Sequence, residues 1–288
     1  MFNDKRLDAI ESQLHQIRNS LQNLEMSIAP LTLEHIERIC WITGVLQPRK
    51  TTFILARFGS MGDGGYVLAP PSKNGITLSI GVGNEISIDL DLITAFGHSV
   101  YAFDPYVNHP IDVPDNFIFE KIGFGETSKG LSPNLEFEDI HSIMKRIPRV
   151  PEIALIDIEG SEWDLAGLFD AICEIKQIAI EFHHLDKVVD SQEFGKFKSL
   201  LLEITNSHFP IHVHANNDGP TLRLSGAVWP SILEVTFIRK DLIGSDSPSF
   251  NFGPWPGELD YPNSPNRPDL DLQPFFGVNA VYRNKLNG

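Results

Sequence analysis

Residues 76–104 read ITLSIGVGNEISIDLDLITAFGHSVYAFD, and the rest of the chain is placed relative to them. The apolar run Ile76 to Ile80 is short and β-branched, the composition of a buried strand. It ends in Gly81-Val82-Gly83, where missing side chains let the backbone turn sharply and approach a ligand. Ile86, Leu90, Ile93 and Phe96 recur at helical spacing, so a helix follows with those residues on one face. Gly97 stops it, and a second apolar strand, Val100 to Phe103, ends in Asp104. Strand, glycine turn, helix, strand and terminal acid make a nucleotide-binding unit. The acid stands where a ribose diol needs an acceptor.

The glycine pattern bears on which nucleotide. A dinucleotide fingerprint has a third glycine at the helix start, so that a pyrophosphate can sit on the helix N-terminus. Here the run continues G-V-G-N-E, with Glu85 near that position. A carboxylate there repels a pyrophosphate but can bind the amino group of an amino-acid moiety. The run resembles the first motif of S-adenosylmethionine-dependent methyltransferases, and Asp104 is similar to their ribose-binding acid.

With 288 residues and 42% apolar content, the chain has ample material for one large domain with appendages. A net charge of −15 makes a nucleic-acid backbone a poor partner. Cys40 and Cys173 offer no disulfide framework and suit a reducing compartment, each in an apolar context typical of a small core residue. No apolar signal segment or membrane-spanning run is present in the sequence, so a cytoplasmic protein is expected.

Residues 1–30 form a separate element. Leu7, Ile10, Leu14, Ile17, Leu21, Leu24 and Ile28 alternate three and four apart, an unbroken heptad seam. The expectation is a coiled-coil helix that makes a homo-oligomer through residues 7–28, with trimer or tetramer favoured. The alternative is an amphipathic helix packed on its own domain. Residues 31–75 read as a helical and glycine-loop extension, with a helix from Leu33 to about Leu46. Gly62-Asp63-Gly64-Gly65 then forms a hairpin or a glycine-rich loop. It is either a plain turn or a loop that closes over ligand through Asp63 or Arg57.

Residues 76–244 carry the main domain. Strands are expected at Phe117–Ile122, Ile153–Ile156, Gln177–Phe182 and Ile211–Val213, with helices at about 138–147 and 193–204 and one capped by Ser161. Leu233–Ile238 has no long crossover helix before it and is expected to run antiparallel. The whole is an α/β, Rossmann-like, mixed seven-stranded sheet. Residues 245–288 are proline-rich. Their aromatics, among them Trp255, Tyr261, Phe275 and Phe276, favour a strap or active-site lid over a disordered tail.

Ligands of open α/β sheets bind at the carboxyl ends of strands. Period-two spacing puts Asp157 with Glu159, Glu181 with His183, and His212 with His214 and Asn216 on shared faces there. Such groups can supply a general base or an oxygen-rich metal site, or they can merely cap helices and end strands. His183, Asp157 and His214 are the candidate catalytic residues. Asp157, Glu181 and His183 are candidate ligands for Mg²⁺ or Mn²⁺. His98, His109, His141 and His208 are scattered and read as structural or solvated.

GDGGYV at 62–67, SIGVGNEISID at 79–89, AFDP at 102–105, LIDIEGSEWD at 155–164, IEFHHL at 180–185, HVHANN at 212–217 and LEVTFIRK at 233–240 together resemble the FkbM-type branch of class I methyltransferases. The resemblance covers about residues 57–240. It implies the methyltransferase sheet, S-adenosyl-L-methionine as donor, and O-methylation, often of a sugar or glycan hydroxyl. By that likeness Gly81, Gly83 and Glu85 contact the methionine portion, Asp104 the ribose, and Asp157 sits near sulfonium and acceptor. Some sugar methyltransferases hold a divalent metal on acids matching Asp157 and Glu181, whereas residues 183 and 184 here are histidines. The competing readings are a nicotinamide-dependent oxidoreductase on the same sheet and a non-catalytic oligomeric scaffold.

Overall fold

The computed structural model describes residues 31–125, 135–224, 227–244 and 248–277. The heptad seam of residues 7–28 lies outside them. Among the described residues no helix is long and apolar enough to cross a membrane.

Helix α1 (Leu33–Val45) starts at a reciprocal cap in which Thr32 accepts from the His35 amide and His35 accepts from that of Thr32. Strands β1 (Ala56–Phe58) and β2 (Tyr66–Leu68) then form an antiparallel hairpin, so residues 62–65 are its loop. Strand β3 (Ile76–Ile80), helix α2 (Ser87–Phe96) and strand β4 (Ser99–Phe103) follow as the sequence unit requires. Strand β5 (Phe117–Glu120) is shorter than expected. The chain breaks after it, and β6 (Ile122–Phe124) pairs in parallel with β7 (Glu136–Glu138). After α3 (Ile140–Lys145), capped by Asp139, come β8 (Ile153–Ile156) and β9 (Gln177–Phe182). Helix α4 (Ser191–Ser207) leads to β10 (His208–Ala215), the hairpin β11 (Thr221–Leu224) and β12 (Ala227–Pro230), and β13 (Leu233–Arg239).

The main sheet has the order β10-β13-β9-β8-β3-β4-β5. From β9 to β5 every pair is parallel, whereas β13 runs antiparallel to both β9 and β10. This is the Rossmann-like, mixed seven-stranded sheet expected from the sequence, with its last strand antiparallel. Its central strands are buried along their whole length, as parallel strands covered on both faces must be. Period two then assigns the faces. Leu78, Ile80, Ala154, Ile156, Ile178 and Ile180 pack with α1, α4 and the loop around Trp163. Ile153, Leu155 and Ala179 meet Tyr66, Leu68, Ile88 and Leu92 on the other side. In α4 the fully buried residues are Phe197, Leu200, Leu201 and Ile204, one stripe at helical spacing. Because β4 leaves β3 on one side and β8 lies on the other, the chain direction switches at the end of β3. That opens a crevice there.

Three local expectations change. The buried face of α2 is Ile88, Asp89, Leu92 and Ile93; Leu90 lies outside it and Phe96 is half-buried against Phe58. The helix starts only at Ser87, after the glycine turn, and with large apolar residues at Ile88, Leu90, Leu92, Ile93 and Phe96 its rotation is set by what the sheet offers. Ser161 caps no α-helix. Gly160, at φ 103°, leads instead into a short 3₁₀ turn, Ser161–Leu165, and a second one spans Phe169–Ala171. No side chain caps the first of these turns; Glu162 inside it has a different role, its fully buried carboxylate accepting from the backbone N–H of Gly160 and of His183. The segment 136–147 is also a strand plus a short helix, because Glu136–Glu138 finds β6 as a partner.

Residues 248–277 pack as a strap. Arg49 bridges to Phe250, Trp255 is buried edge-on to His212, and Phe275 and Phe276 enter the core beside Trp229. Cys40 and Cys173 are half-buried.

Candidate functional site

The crevice is a cavity of about 570 Å³ at the carboxyl ends of β3, β4 and β8. Its floor depends on glycine. Gly81 has φ 79°, and a Cβ on it would lie 1.5 Å from the Asp157 carbonyl oxygen, so only glycine lets the ends of β3 and β8 meet. Gly83, at φ 59°, would meet nothing within 4 Å, and its backbone lines open space.

Asp104 is where the sequence puts it, at the cavity wall and nearly buried. Its Oδ2 accepts from the Gly83 N–H at 3.0 Å, and its Oδ1 accepts from the Tyr106 and Val107 amides at 2.7 and 3.1 Å. The carboxylate therefore pins the glycine turn to the end of β4. A carboxylate offers about four acceptor sites, so one remains for a ligand hydroxyl. Glu85 lines the mouth, exposed, with Oε1 accepting from the Ser87 amide at 2.8 Å at the start of α2. Its stem lies against Gly64, so the β1–β2 loop closes this side of the cavity. Asp89, on the buried face of α2, also lines it, and burial raises its carboxyl to about 7. It is a site residue that sequence reading missed; the only signal was an acid on the same helical face as Ile88 and Ile93.

A second cavity of about 370 Å³ adjoins the first, and Asp63, Asp157 and Glu159 line both. Glu181, His183 and Asn216 form its inner wall, and Asn263, Ser264 and Pro265 of the strap form its outer one. His183 is the centre of this wall. Its Nε2 lies 3.5 Å from Glu159 Oε2, 3.8 Å from Asp157 Oδ1 and 3.9 Å from Glu181 Oε1, and its Nδ1 is 3.4 Å from Glu162. Burial alone would lower its pKa, but the contact with Glu162 and the charges of Glu162, Glu181 and Asp157 outweigh it and raise the imidazole to about 9. Asp157 moves up as well, to about 7, because desolvation and the acids Glu159 and Glu162 exceed the pull of His183. Glu181 is also raised, by desolvation and then by Asp157 and Glu234. Asp157 Oδ1 is buried and has no hydrogen-bond partner, at the junction of the two cavities.

The sequence-predicted groups do not all gather. Asp157, Glu181 and His183 come together, whereas His214 stands apart from both cavities. It is 1% exposed, with Nδ1 at 3.0 Å from Glu234 and Nε2 at 3.1 Å from Asp269 of the strap. Nδ1 is held by Glu234 of the neighbouring β13, while Nε2 ties β10 to the strap. His212 does the same with Asp260, at 3.1 Å. No residue of β10 lines the second cavity; Asn216, the residue after it, does, donating to Glu181 Oε1 at 2.8 Å. His98 and His208 are bonded within the fold, to Thr77 and Ser72 and to Ser207 and Ile175.

Asp157, Glu159 and His183 each present one donor atom within 4.8 Å of one another, a spacing compatible with a metal ion. Glu181 is the less free of the acids: besides Asn216, Tyr66 donates to its Oε2 at 3.3 Å.

No protein-family model matches the chain, and no curated protein matches it. Solved structures with similar folds include TYW2 of M. jannaschii in complex with AdoMet, at 11% identity over 74% of this chain and 79% of that one, TM-score 0.32. Another is precorrin-6y C5,15-methyltransferase from Geobacter metallireducens, at 15% identity over 58% and 81%, TM-score 0.31. A third is the fibrillarin pre-rRNA processing protein of Methanococcus jannaschii, at 12% identity over 60% and 69%, TM-score 0.34. All three TM-scores lie below 0.5, so these likenesses carry no conclusion about this chain.

Proposed function

We propose that this chain is an S-adenosylmethionine-dependent O-methyltransferase of the FkbM-type branch, acting on a hydroxyl of a sugar or glycan. One observation carries the reading: two cavities that meet at Asp157, the first lined by Asp63, Glu85, Asp89, Asp104, Asp157 and Glu159 with no lysine or arginine among its described lining residues. A sulfonium and an α-ammonium are the charges such a wall attracts, and a pyrophosphate is the charge it repels. The second cavity is walled mainly by polar groups, with Ile232 and Pro265 the larger apolar contributions, which suits a hydroxyl-rich acceptor. The net charge of −15 disfavours a nucleic-acid acceptor.

In this reading the acceptor oxygen lies across Asp157 from the sulfonium. As its bond to the methyl carbon forms, the carbon–sulfur bond breaks and its electron pair leaves with sulfur. The hydroxyl proton goes to Asp157 Oδ1, the orphaned acceptor at the junction, with His183 beside it as counter-charge. Alignment and exclusion of water carry most of the rate, and proton removal contributes roughly 10²–10⁴-fold. If a divalent ion takes part, Asp157, Glu159 and His183 would hold it, and it would polarise the acceptor oxygen; their carboxylate–carboxylate–imidazole set suits Mn²⁺ better than Mg²⁺.

The test is titration calorimetry of the full chain with S-adenosylmethionine and with NAD, followed by transfer of a labelled methyl group to a glycan panel with and without EDTA. Binding of the methionine donor alone is expected. Binding of NAD alone would sink the reading, and full activity in EDTA would remove the metal from it.

A further inference from the structure

The acceptor cavity contains an amide whose hydrogen bonds are half finished. Asn263, on the strap, is 7% exposed and lines the cavity. Its Nδ2 donates to Glu234 Oε1 at 2.6 Å and to Asp63 Oδ1 at 3.2 Å. Two carboxylates can only accept, so the amide cannot be flipped, and Oδ1 is fixed on the other side. That oxygen is buried and has no donor. An orphaned buried acceptor is costly, and a ligand donor would remove that cost.

Among the described residues, the acids Asp63, Asp218 and Glu159 line the same cavity as Asn263. The cations nearby are committed elsewhere. Arg57 spends its guanidinium on the carbonyls of Ser60 and Gly62, bracing the loop that carries Asp63, and Arg267 reaches Asp218 at the exposed outer lip, at 3.3 Å. His183 is held among the inner acids. What completes this corner is a group that donates in several directions, accepts nothing and carries positive charge: an alkylammonium.

We infer that the acceptor carries a protonated amine beside the hydroxyl it presents, as an amino sugar does, and that Asp63 and Asn263 Oδ1 bind that amine. The inference rests on the methyltransferase reading only for what fills the neighbouring cavity; the amine subsite itself is a matter of binding.

The experiment measures binding of glucosamine, glucose and N-acetylglucosamine to the full chain by ligand-observed NMR. S-adenosylhomocysteine and EDTA are present, and the pH is below the pKa of the amine. Glucosamine is expected to bind at least about tenfold tighter than either neutral sugar, the equivalent of about 1.4 kcal/mol. Asp63→Asn, which keeps an acceptor for the Asn263 amide, is expected to reduce that preference to less than about twofold, consistent with loss of a charge-assisted bond. Equal binding of the three sugars, tighter binding of a neutral one, or binding of none overturns the amine subsite. If Asp63→Asn does not melt cooperatively, the wild-type ranking decides alone. A chain that ranks the sugars as expected but fails to bind S-adenosylmethionine keeps the subsite and loses the methyltransferase reading instead.

Discussion

Asp104 does two things with one carboxylate, and this sets what its loss should look like. Three backbone amides, from Gly83, Tyr106 and Val107, lean on it, and a ribose would be the fourth donor. Asp104→Ala is therefore expected to weaken S-adenosylmethionine binding by at least about tenfold and to lower the melting temperature as well, since charge-assisted bonds contribute about 1.5–3 kcal/mol each. Calorimetry alongside thermal melting checks both, and unchanged affinity removes Asp104 from the cofactor site. His183→Ala should separate from it, keeping donor affinity within about threefold while turnover drops by roughly 10²-fold or more. Loss of donor binding in that variant would place His183 in the cofactor site instead. Asp104, Gly81 and Gly83 were legible because each has a local reason, a strand end or a turn. Asp89 and Glu162 were not. Their importance comes from burial, Asp89 in the cavity wall and Glu162 bonded to Gly160 and His183, and one-dimensional spacing cannot report burial.

The strap is held by pairs that join elements far apart in sequence. His214 of β10 sits between Glu234 of β13 and Asp269, and His212 meets Asp260. Burial opposes the charge on His214, but its bonds to Asp269 and Glu234 win and raise it from 6.5 to about 10. A histidine whose folded pKa is raised adds stability that is complete below its unfolded value and is lost as pH climbs through the folded one. The clamp should hold at neutral pH and weaken as pH approaches about 10. Asp260 acts at the other end: its pKa is depressed despite burial, by His212 and His214, so its contribution fades in acid. His214→Ala leaves two acids unpaired, and breaking a pair of this kind costs about 3–5 kcal/mol. Limited proteolysis is expected to cut residues 248–277 sooner in that variant, and a wild-type cleavage rate would mean that the strap is held by its aromatics alone. The sequence already marked those aromatics as too many for a free tail. It placed His214 at the catalytic rim, however, because period-two alternation gives a face and says nothing about which neighbour covers that face.

At the level of the whole molecule, the heptad seam of residues 7–28 predicts a trimer or tetramer. Light scattering of the full chain and of a version lacking residues 1–30 is expected to show a drop to monomer on deletion; an unchanged mass would put the seam on its own domain. The sequence by itself determined the strand–turn–helix–strand unit, the parallel sheet and its late antiparallel strand, because these follow from short-range periodicity, glycine placement and loop length. It also supplied the acidic strand ends. Only the tertiary structure decided which of those ends face one another. Asp157, Glu159, Glu181 and His183 converge because β8 and β9 are adjacent in the sheet, His214 is drawn away by two acids, and Asn263 arrives from the strap, 200 residues beyond Asp63. Sheet order and the path of the strap are set by the packing of the whole core, and groups so distant along the chain meet only once that core has formed.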